Sequence, residues 1–75
     1  VYNIEKITNQ ITNLNDAHNY DQSIVLLEEI IDNNNSSSYD KYQAYLLKYY
    51  TYKRLYNYYE AQNNLDLALK EGIKR

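Results

Sequence analysis

The side chains that could do acid–base or metal chemistry are few and scattered along the chain. The single histidine, His18, stands beside a predicted turn without the partners that a general base or a metal site requires. Glu28, Glu29 and Asp32 could share part of one helix face, but calcium and magnesium sites take further oxygen ligands from looped backbone. Cysteine, a glycine-rich phosphate loop and the HExxH pattern are all absent from the sequence. We therefore expect no enzyme activity, no cofactor and no metal.

Tyrosine is the residue type that the chain has in excess. There are 11 tyrosines among 75 residues, with no phenylalanine and no tryptophan. Eight of them lie between Tyr42 and Tyr59, interleaved with lysine and arginine. Tyrosine combines a large apolar area with a hydroxyl that needs water or a partner, so it suits a core boundary and equally a recognition surface. The sequence leaves both interpretations open.

Charge is unevenly distributed, although the net charge is only −2. The segment 21–32 carries four acidic residues and no base, whereas 40–56 carries four basic residues against Asp40 alone. Neighbouring helices of opposite sign would explain this, and a basic binding surface on the second segment is the alternative. Tyrosine next to lysine and arginine would also suit base stacking, but the net negative charge argues against a nucleic-acid partner.

Apolar runs are too short for a membrane span. The longest covers only residues 24–27, whereas a helix needs about 18 apolar residues to cross a bilayer. No secretory signal pattern is present. We therefore expect a cytoplasmic protein without a membrane partner.

Hydrophobic periodicity predicts an all-α fold of four helices. In four stretches the apolar residues recur every three or four positions, and nowhere does the strict alternation of a strand persist. Asparagine, aspartate and serine separate the stretches, because their side chains compete for local backbone groups. We predict helices at about 2–16, 20–33, 38–55 and 58–71.

Two end signals refine these bounds. Ser37, followed three residues later by Asp40, resembles a capping box that opens the third helix. Gly72, the only glycine, stands where a left-handed C-cap would close the fourth helix. Lys74 and Arg75 would then lie near the negative end of its dipole.

Tyrosines at helical spacing form the predicted apolar stripe of the third helix. We expect the members of this stripe to face the core, and they are Tyr45, Tyr49, Tyr52 and Tyr56. Tyr50 and Tyr59 fall outside the stripe and should point elsewhere.

The same pattern occurs twice along the chain. Asn19 and Tyr20, at the start of the second helix, are matched by Asn57 and Tyr58, 38 positions later at the start of the fourth. The apolar residues around these pairs match at the same offset. Self-similarity at such a period indicates stacked repeat units.

The paired units resemble the tetratricopeptide repeat. The second unit matches the family at Tyr52, Tyr58, Ala61, Leu65 and Ala68, and the first at Leu14, Tyr20, Ser23, Leu27 and Ile30. The resemblance implies one domain over 1–75, built from two stacked antiparallel helix hairpins at about 2–35 and 38–73. A generic up-down four-helix bundle is the alternative, because its periodicity would look alike.

The chain also departs from the family pattern. Ile11 and Tyr49 stand where a small residue is usual, and His18 and Tyr56 stand where the turn often has glycine. No proline ends either unit, and the spacing is 38 rather than about 34 residues.

The resemblance further implies a groove lined by the first helix of each unit. Carried over, the groove positions are Glu5, Thr8, Asn9, Thr12, Gln43, Leu46, Leu47, Tyr50, Lys53 and Arg54. From these we select as partner-binding residues Gln43, Leu46, Tyr50, Lys53 and Arg54. Tyrosine beside two bases suits an acidic or amphipathic segment. A clamp for a peptide carboxylate is not expected, because the first unit offers only Asn9 and Leu47 replaces a polar group.

We therefore expect a non-enzymatic scaffold that binds a peptide or helix of a partner protein. The alternative is a structural or oligomerisation domain of a bacterial sensor or transcriptional regulator, with no separate ligand. Because the first residue is Val rather than Met, we expect a piece of a longer chain. Apolar residues of the last helix should be exposed, inviting a continuation of the chain or homo-oligomers, and they are Leu65, Leu67, Leu69 and Ile73.

Overall fold

The structure, a computed structural model, describes residues 2–73, and all regular secondary structure in that range is helical. The helices are α1 (Ile4–Asp16), α2 (Tyr20–Asp32), α3 (Ser38–Arg54) and α4 (Tyr58–Ile73). The predicted all-α fold is therefore confirmed, and the helix ends differ from the prediction by at most two residues. Lys74 and Arg75 lie outside the described residues.

Helix α3 occupies the centre of the fold. It packs against α4, α2 and α1, and α1 also packs against α2. Within residues 2–73, neither α1 nor α2 packs against α4. A closed up-down bundle would bring its first and last helices together. The arrangement is instead open: one hairpin, α1–α2, lies against the first helix of the other, α3–α4.

Both hairpins turn in the same way. In the first turn, the Asn19 backbone N–H donates to the Leu14 carbonyl at 2.8 Å and His18 N–H donates to the Asn15 carbonyl at 3.0 Å. This pair of bonds is a Schellman motif, which places its C′ residue, His18, in the left-handed region at φ 61°.

The second turn repeats this geometry 38 residues later. Asn57 N–H donates to the Tyr52 carbonyl and Tyr56 N–H to the Lys53 carbonyl, both at 3.0 Å. Tyr56, the C′ residue, has φ 60°. The internal repeat is therefore present in the backbone hydrogen bonds as well as in the sequence. It also explains why glycine would suit these two positions.

One of the two predicted helix-end signals, the capping box, is present in the structure, and the other, the glycine cap, is not. Ser37 and Asp40 form the predicted capping box: the Ser37 hydroxyl accepts from Asp40 N–H at 3.0 Å, and Ser37 N–H donates to the Asp40 carboxylate at 3.1 Å. The prediction for Gly72 was wrong. Gly72 lies inside α4, which continues to Ile73, and its backbone φ is not positive.

The apolar core lies where α1, α2 and α3 meet. Ile11, Leu27, Ile30 and Ala44 form its buried centre, with Leu47 packed against them. Between α3 and α4 the contact is made by small residues, and the buried ones on α4 are Ala61, Asn64 and Ala68. Small side chains allow the two helix backbones to approach closely.

The tyrosine stripe does not face this core. Tyr45, Tyr49 and Tyr52 are half-buried, and Tyr56 is 79% exposed because it lies in the turn. The prediction that Tyr56 faces the core was therefore wrong, whereas Tyr50 and Tyr59 are exposed as expected. The buried face of α3 consists instead of short or polar residues, which are Asp40, Ala44, Lys48 and Thr51.

A buried polar cluster, formed by Asn15, Ser23 and Thr51, joins three helices. The Ser23 hydroxyl of α2 donates to Asn15 Oδ1 of α1 at 2.7 Å. Asn15 Nδ2 donates to Thr51 Oγ1 of α3 at 3.0 Å, and the Thr51 hydroxyl donates to the Leu47 carbonyl at 2.8 Å. Asn15 is only 4% exposed, and Ser23 and Thr51 are fully buried. Asn15 lies in the last turn of α1 and belongs to the buried interior.

Replacing Asn15 by alanine should destabilise the fold strongly. Asn15→Ala removes the acceptor of the buried Ser23 hydroxyl and the group that donates to Thr51 Oγ1, which costs about 2–3 kcal/mol of unfolding free energy. Urea unfolding at 25 °C measures the change. The matched control is Asn13→Ala, an exposed asparagine of the same helix, which should change stability by less than about 0.5 kcal/mol.

Replacing all three polar residues by apolar ones tests whether the loss in Asn15→Ala comes from unpaired polar groups. The triple variant Asn15→Leu/Ser23→Ala/Thr51→Val removes every polar group at once, so it should recover most of the stability lost in Asn15→Ala. An equal loss in Asn15→Ala and Asn13→Ala would contradict the role of the cluster.

Glycine at position 56 should stabilise the protein. A residue with a Cβ pays about 1 kcal/mol in the left-handed region, and Tyr56 buries little of its side chain in return. Tyr56→Gly should therefore raise the urea midpoint. Tyr56→Ala is the control, because alanine keeps the Cβ. A gain of the same size in both variants would rule out the backbone explanation.

Alanine at position 72 should stabilise the protein too. Gly72 is helical, and alanine in a helix interior is favoured by roughly 0.5–1 kcal/mol. A Cβ built at this position lies 3.5 Å from the Tyr42 ring, which is an ordinary contact. Thermal unfolding of Gly72→Ala should show a higher midpoint. A lower midpoint would contradict the helical conformation of Gly72 and would indicate a left-handed cap at this position.

Candidate partner-binding surface

The five predicted partner-binding residues share one face of α3. We call this set the α3 surface, and it consists of Gln43, Leu46, Tyr50, Lys53 and Arg54. Gln43, Leu46 and Tyr50 follow one another at three or four residues, and Lys53 and Arg54 stand three and four residues after Tyr50, so all five lie on one side of the helix. Gln43 and Leu46 are half-buried, Tyr50 is 54% exposed, and Lys53 and Arg54 are exposed. The polar and aromatic groups of the stripe are therefore open to solvent.

The other groove positions divide into two groups. Thr8 is half-buried, and the remaining α1 positions are exposed, namely Glu5, Asn9 and Thr12. Leu47 was wrongly assigned to the groove. It is half-buried and packs against the buried core cluster, because α3 turns this side towards the first hairpin.

Arg54 is held by the first hairpin. Its Nη1 donates to Asp16 Oδ1 at 2.9 Å, and its guanidinium lies 5.8 Å from the centre of the Tyr20 ring. The ion pair connects the last turns of α1 and α3. Because both side chains are exposed, the ion pair adds little to stability, but it leaves only part of the Arg54 charge for a partner.

Lys53 is the more available cation of the α3 surface. Its Nζ lies 5.2 Å from the centre of the Tyr49 ring, a cation–π distance, and it forms no ion pair with any described residue. The Tyr49 and Tyr50 ring centres are 5.0 Å apart. Two aromatic rings next to a cation can receive an apolar side chain and a carboxylate together.

An open pocket of about 630 Å³ lies at the turn end of the molecule, next to Lys53. His18 and Tyr20 form one side, with His18 Nδ1 3.2 Å from the Tyr20 hydroxyl, and Tyr56 forms another. The sequence indicates that His18 and Tyr56 lie in separate turns, and it does not by itself bring the two residues together. Their equivalence under the 38-residue repeat is the signal that could have done so.

A second groove, of about 500 Å³, lies between α1 and α2. Its apolar lining comes from Leu14, Val25 and Leu26. Leu14 is half-buried, and Val25 is 54% exposed. Sequence periodicity could not reveal this groove. It predicts which side of one helix is apolar, but not how far apart two helices lie.

The acidic segment of α2 faces the side of α3 that lies opposite the α3 surface. Lys48 Nζ lies 3.3 Å from the Glu28 carboxylate, and the Lys48 side chain is largely buried. The pKa of the nearby Tyr52 hydroxyl is raised, first by burial and then by the carboxylates of Glu60, Glu28 and Asp21. The uneven charge along the chain therefore reflects, in part, neighbouring helices of opposite sign. Two of the four bases in 40–56 pair with acids of the first hairpin.

Other kinds of site find little support in the described part of the chain. Residues 2–73 contain no group of three or more histidine, cysteine, aspartate or glutamate side chains that could hold a metal ion. No helix in this range has the length and apolar character needed to cross a membrane.

Comparison with known proteins gives no relative from which a function could be transferred. No protein-family model, no curated protein and no solved structure matches this chain.

Proposed function

We propose that this chain is a tetratricopeptide-like helical repeat module that binds an acidic, partly apolar segment of a partner protein. The binding site is the α3 surface, and no chemical reaction is involved. The observation that carries the proposal is the exposure of Tyr50 and Lys53 on one face of α3.

The architecture supports a repeat scaffold. Both hairpins end their first helix in the same Schellman turn, and α1 and α4 do not close into a bundle within residues 2–73. Open stacks of helix pairs leave one side of each first helix accessible to a partner.

The chemistry of the α3 surface supports an acidic partner. Lys53 lacks an ion pair among the described residues, and Tyr49 and Tyr50 offer aromatic area next to it. Tyrosine is frequent among the residues that dominate binding energy at protein interfaces. A carboxylate on the partner would pair with Lys53, and an apolar side chain beside it would pack on Tyr50.

A structural or oligomerisation domain, as in a bacterial sensor or transcriptional regulator, is the second candidate. Its support is the exposed apolar side of α4, where Leu69 is 54% and Ile73 is 84% exposed. In that case the tyrosines of α3 would need no separate ligand.

Peptide selection with the purified chain as bait tests the first candidate. Peptides selected from a random display library should be rich in aspartate and glutamate next to apolar residues, and their affinity should fall with added salt. Tyr50→Ala should weaken the best peptide at least tenfold, because a central tyrosine can carry about 2 kcal/mol of binding energy. Lys53→Ala should weaken it about fivefold.

Lys70→Ala is the matched control, because Lys70 is an exposed lysine on α4, away from the α3 surface. It should leave the affinity unchanged. Equal weakening by Lys70→Ala and Lys53→Ala, or selection of mainly basic peptides, would refute the α3 surface as the binding site.

A further inference from the structure

One end of the molecule presents an apolar side that the fold leaves uncovered. It lies on the outward side of α4 and the adjoining part of α3. We call it the end face, and its residues are Tyr49, Leu65, Leu69 and Ile73. Tyr49 and Leu65 are half-buried, whereas Leu69 is 54% and Ile73 is 84% exposed.

The repeat identifies what covers the equivalent side of the first hairpin. At an offset of 38 residues, Leu65 corresponds to Leu27 and Tyr49 corresponds to Ile11. Leu27 and Ile11 are buried under α3, in contact with a cluster that includes Ala44. The end face thus continues the pattern of an established interface whose covering element is an amphipathic helix.

The charges around the end face define that helix further. Glu28, which pairs with Lys48 of α3, corresponds to Asp66, an exposed acid on α4. Asn15, which binds Thr51 of α3, corresponds to Lys53. A helix that covers the end face as α3 covers the first hairpin would therefore place a base opposite Asp66 and an acid opposite Lys53.

A second copy of this chain does not supply such a helix. The α1 positions equivalent to the core-facing positions of α3 are all polar and exposed, and they are Lys6, Asn9, Gln10 and Asn13. On α3 the same positions hold Ala44, Leu47, Lys48 and Thr51. Stacking α1 of a second copy on the end face would bury lysine and amide groups against Leu69 without matching partners, which is unfavourable.

We propose that the end face docks one amphipathic helix of a partner protein, in the position that α3 takes on the first hairpin. That helix carries a small residue, a large apolar residue three positions later, a base immediately after it and an acid three positions further on. This site borders the α3 surface and shares Lys53 with it, but its aliphatic residues and Asp66 lie on α4, and it does not depend on the proposed function.

A peptide copied from α3 provides the probe. It has the sequence of residues 38–54 with Thr51→Glu, to face Lys53, and Arg54→Glu, to avoid repulsion by Arg54 of the protein. Fluorescence anisotropy of the labelled peptide measures its affinity. Leu69→Asp in the protein should weaken binding more than tenfold, because it places a charge against the apolar side of the peptide.

A charge swap tests the register of the complex. Asp66→Lys in the protein should weaken binding about fivefold, and Lys48→Glu in the peptide should restore it on that variant. Leu67→Asp is the matched control: Leu67 is 38% exposed but lies two positions along α4, turned away from the end face. It should leave the affinity unchanged.

Three results would overturn the proposal. The first is no binding of the peptide to a folded protein, as judged by circular dichroism. The second is equal weakening by Leu67→Asp and Leu69→Asp. The third is a dimer in sedimentation velocity that Leu69→Asp dissociates, because the end face would then be occupied by a second copy.

Discussion

The carboxamide of Asn15 joins three helices through two hydrogen bonds. It accepts from Ser23 on α2 and donates to Thr51 on α3, and all three residues are nearly or fully inaccessible to solvent. A buried carboxamide with unpaired groups costs about 1–3 kcal/mol for each lost partner. Because Asn15 is satisfied only when α2 and α3 sit in one register against α1, this cluster fixes how the second hairpin lies on the first.

The central position of α3 follows from this constraint. Its inward side is short or polar, with Ala44 and Thr51 buried, so α1 and α2 can lie close to it. On its other flank the buried α4 residues are also small, with Ala61 and Ala68 against α3. One helix thus contacts three others, and its large tyrosines are left at the periphery, where their hydroxyls can reach water or a partner.

The tyrosines therefore lie at the surface or at its boundary, outside the buried core. None of the eleven tyrosines, all of which lie within residues 2–73, is fully buried. The aliphatic residues of the first hairpin and the small residues of the second form the interior. Exposed Tyr50 and Lys53 remain available for contacts outside the molecule, and the proposed α3 surface rests on this division.

Local sequence signals predicted the elements of this fold well. Helix periodicity, the capping box at Ser37 and the turns after α1 and α3 all depend on residues close together in the chain. These local signals could not predict which side of α3 faces the core. Hydrophobicity favoured the tyrosine stripe, whereas the observed side is chosen by close packing at Ala44 and hydrogen bonding at Thr51.

The candidate surface was predicted only in part, for a similar reason. The exposure of Tyr50 and Lys53 follows from their place on the helix, and the sequence analysis identified both. The engagement of Arg54 by Asp16 is a contact between residues 38 positions apart, and no local pattern encodes it. No local pattern predicts the position of Leu47 either. It packs against the core because of how three helices are arranged, although the resemblance placed it in the groove.

Nuclear Overhauser spectroscopy of the isotope-labelled chain tests the central claim most directly. The account predicts cross-peaks from the side-chain amide protons of Asn15 to the Thr51 methyl group and to the Ser23 β-protons, with slow exchange of one amide proton against water. Cross-peaks between α1 and α4 should be absent within residues 2–73. Fast exchange of both Asn15 amide protons, together with contacts between α1 and α4, would contradict it.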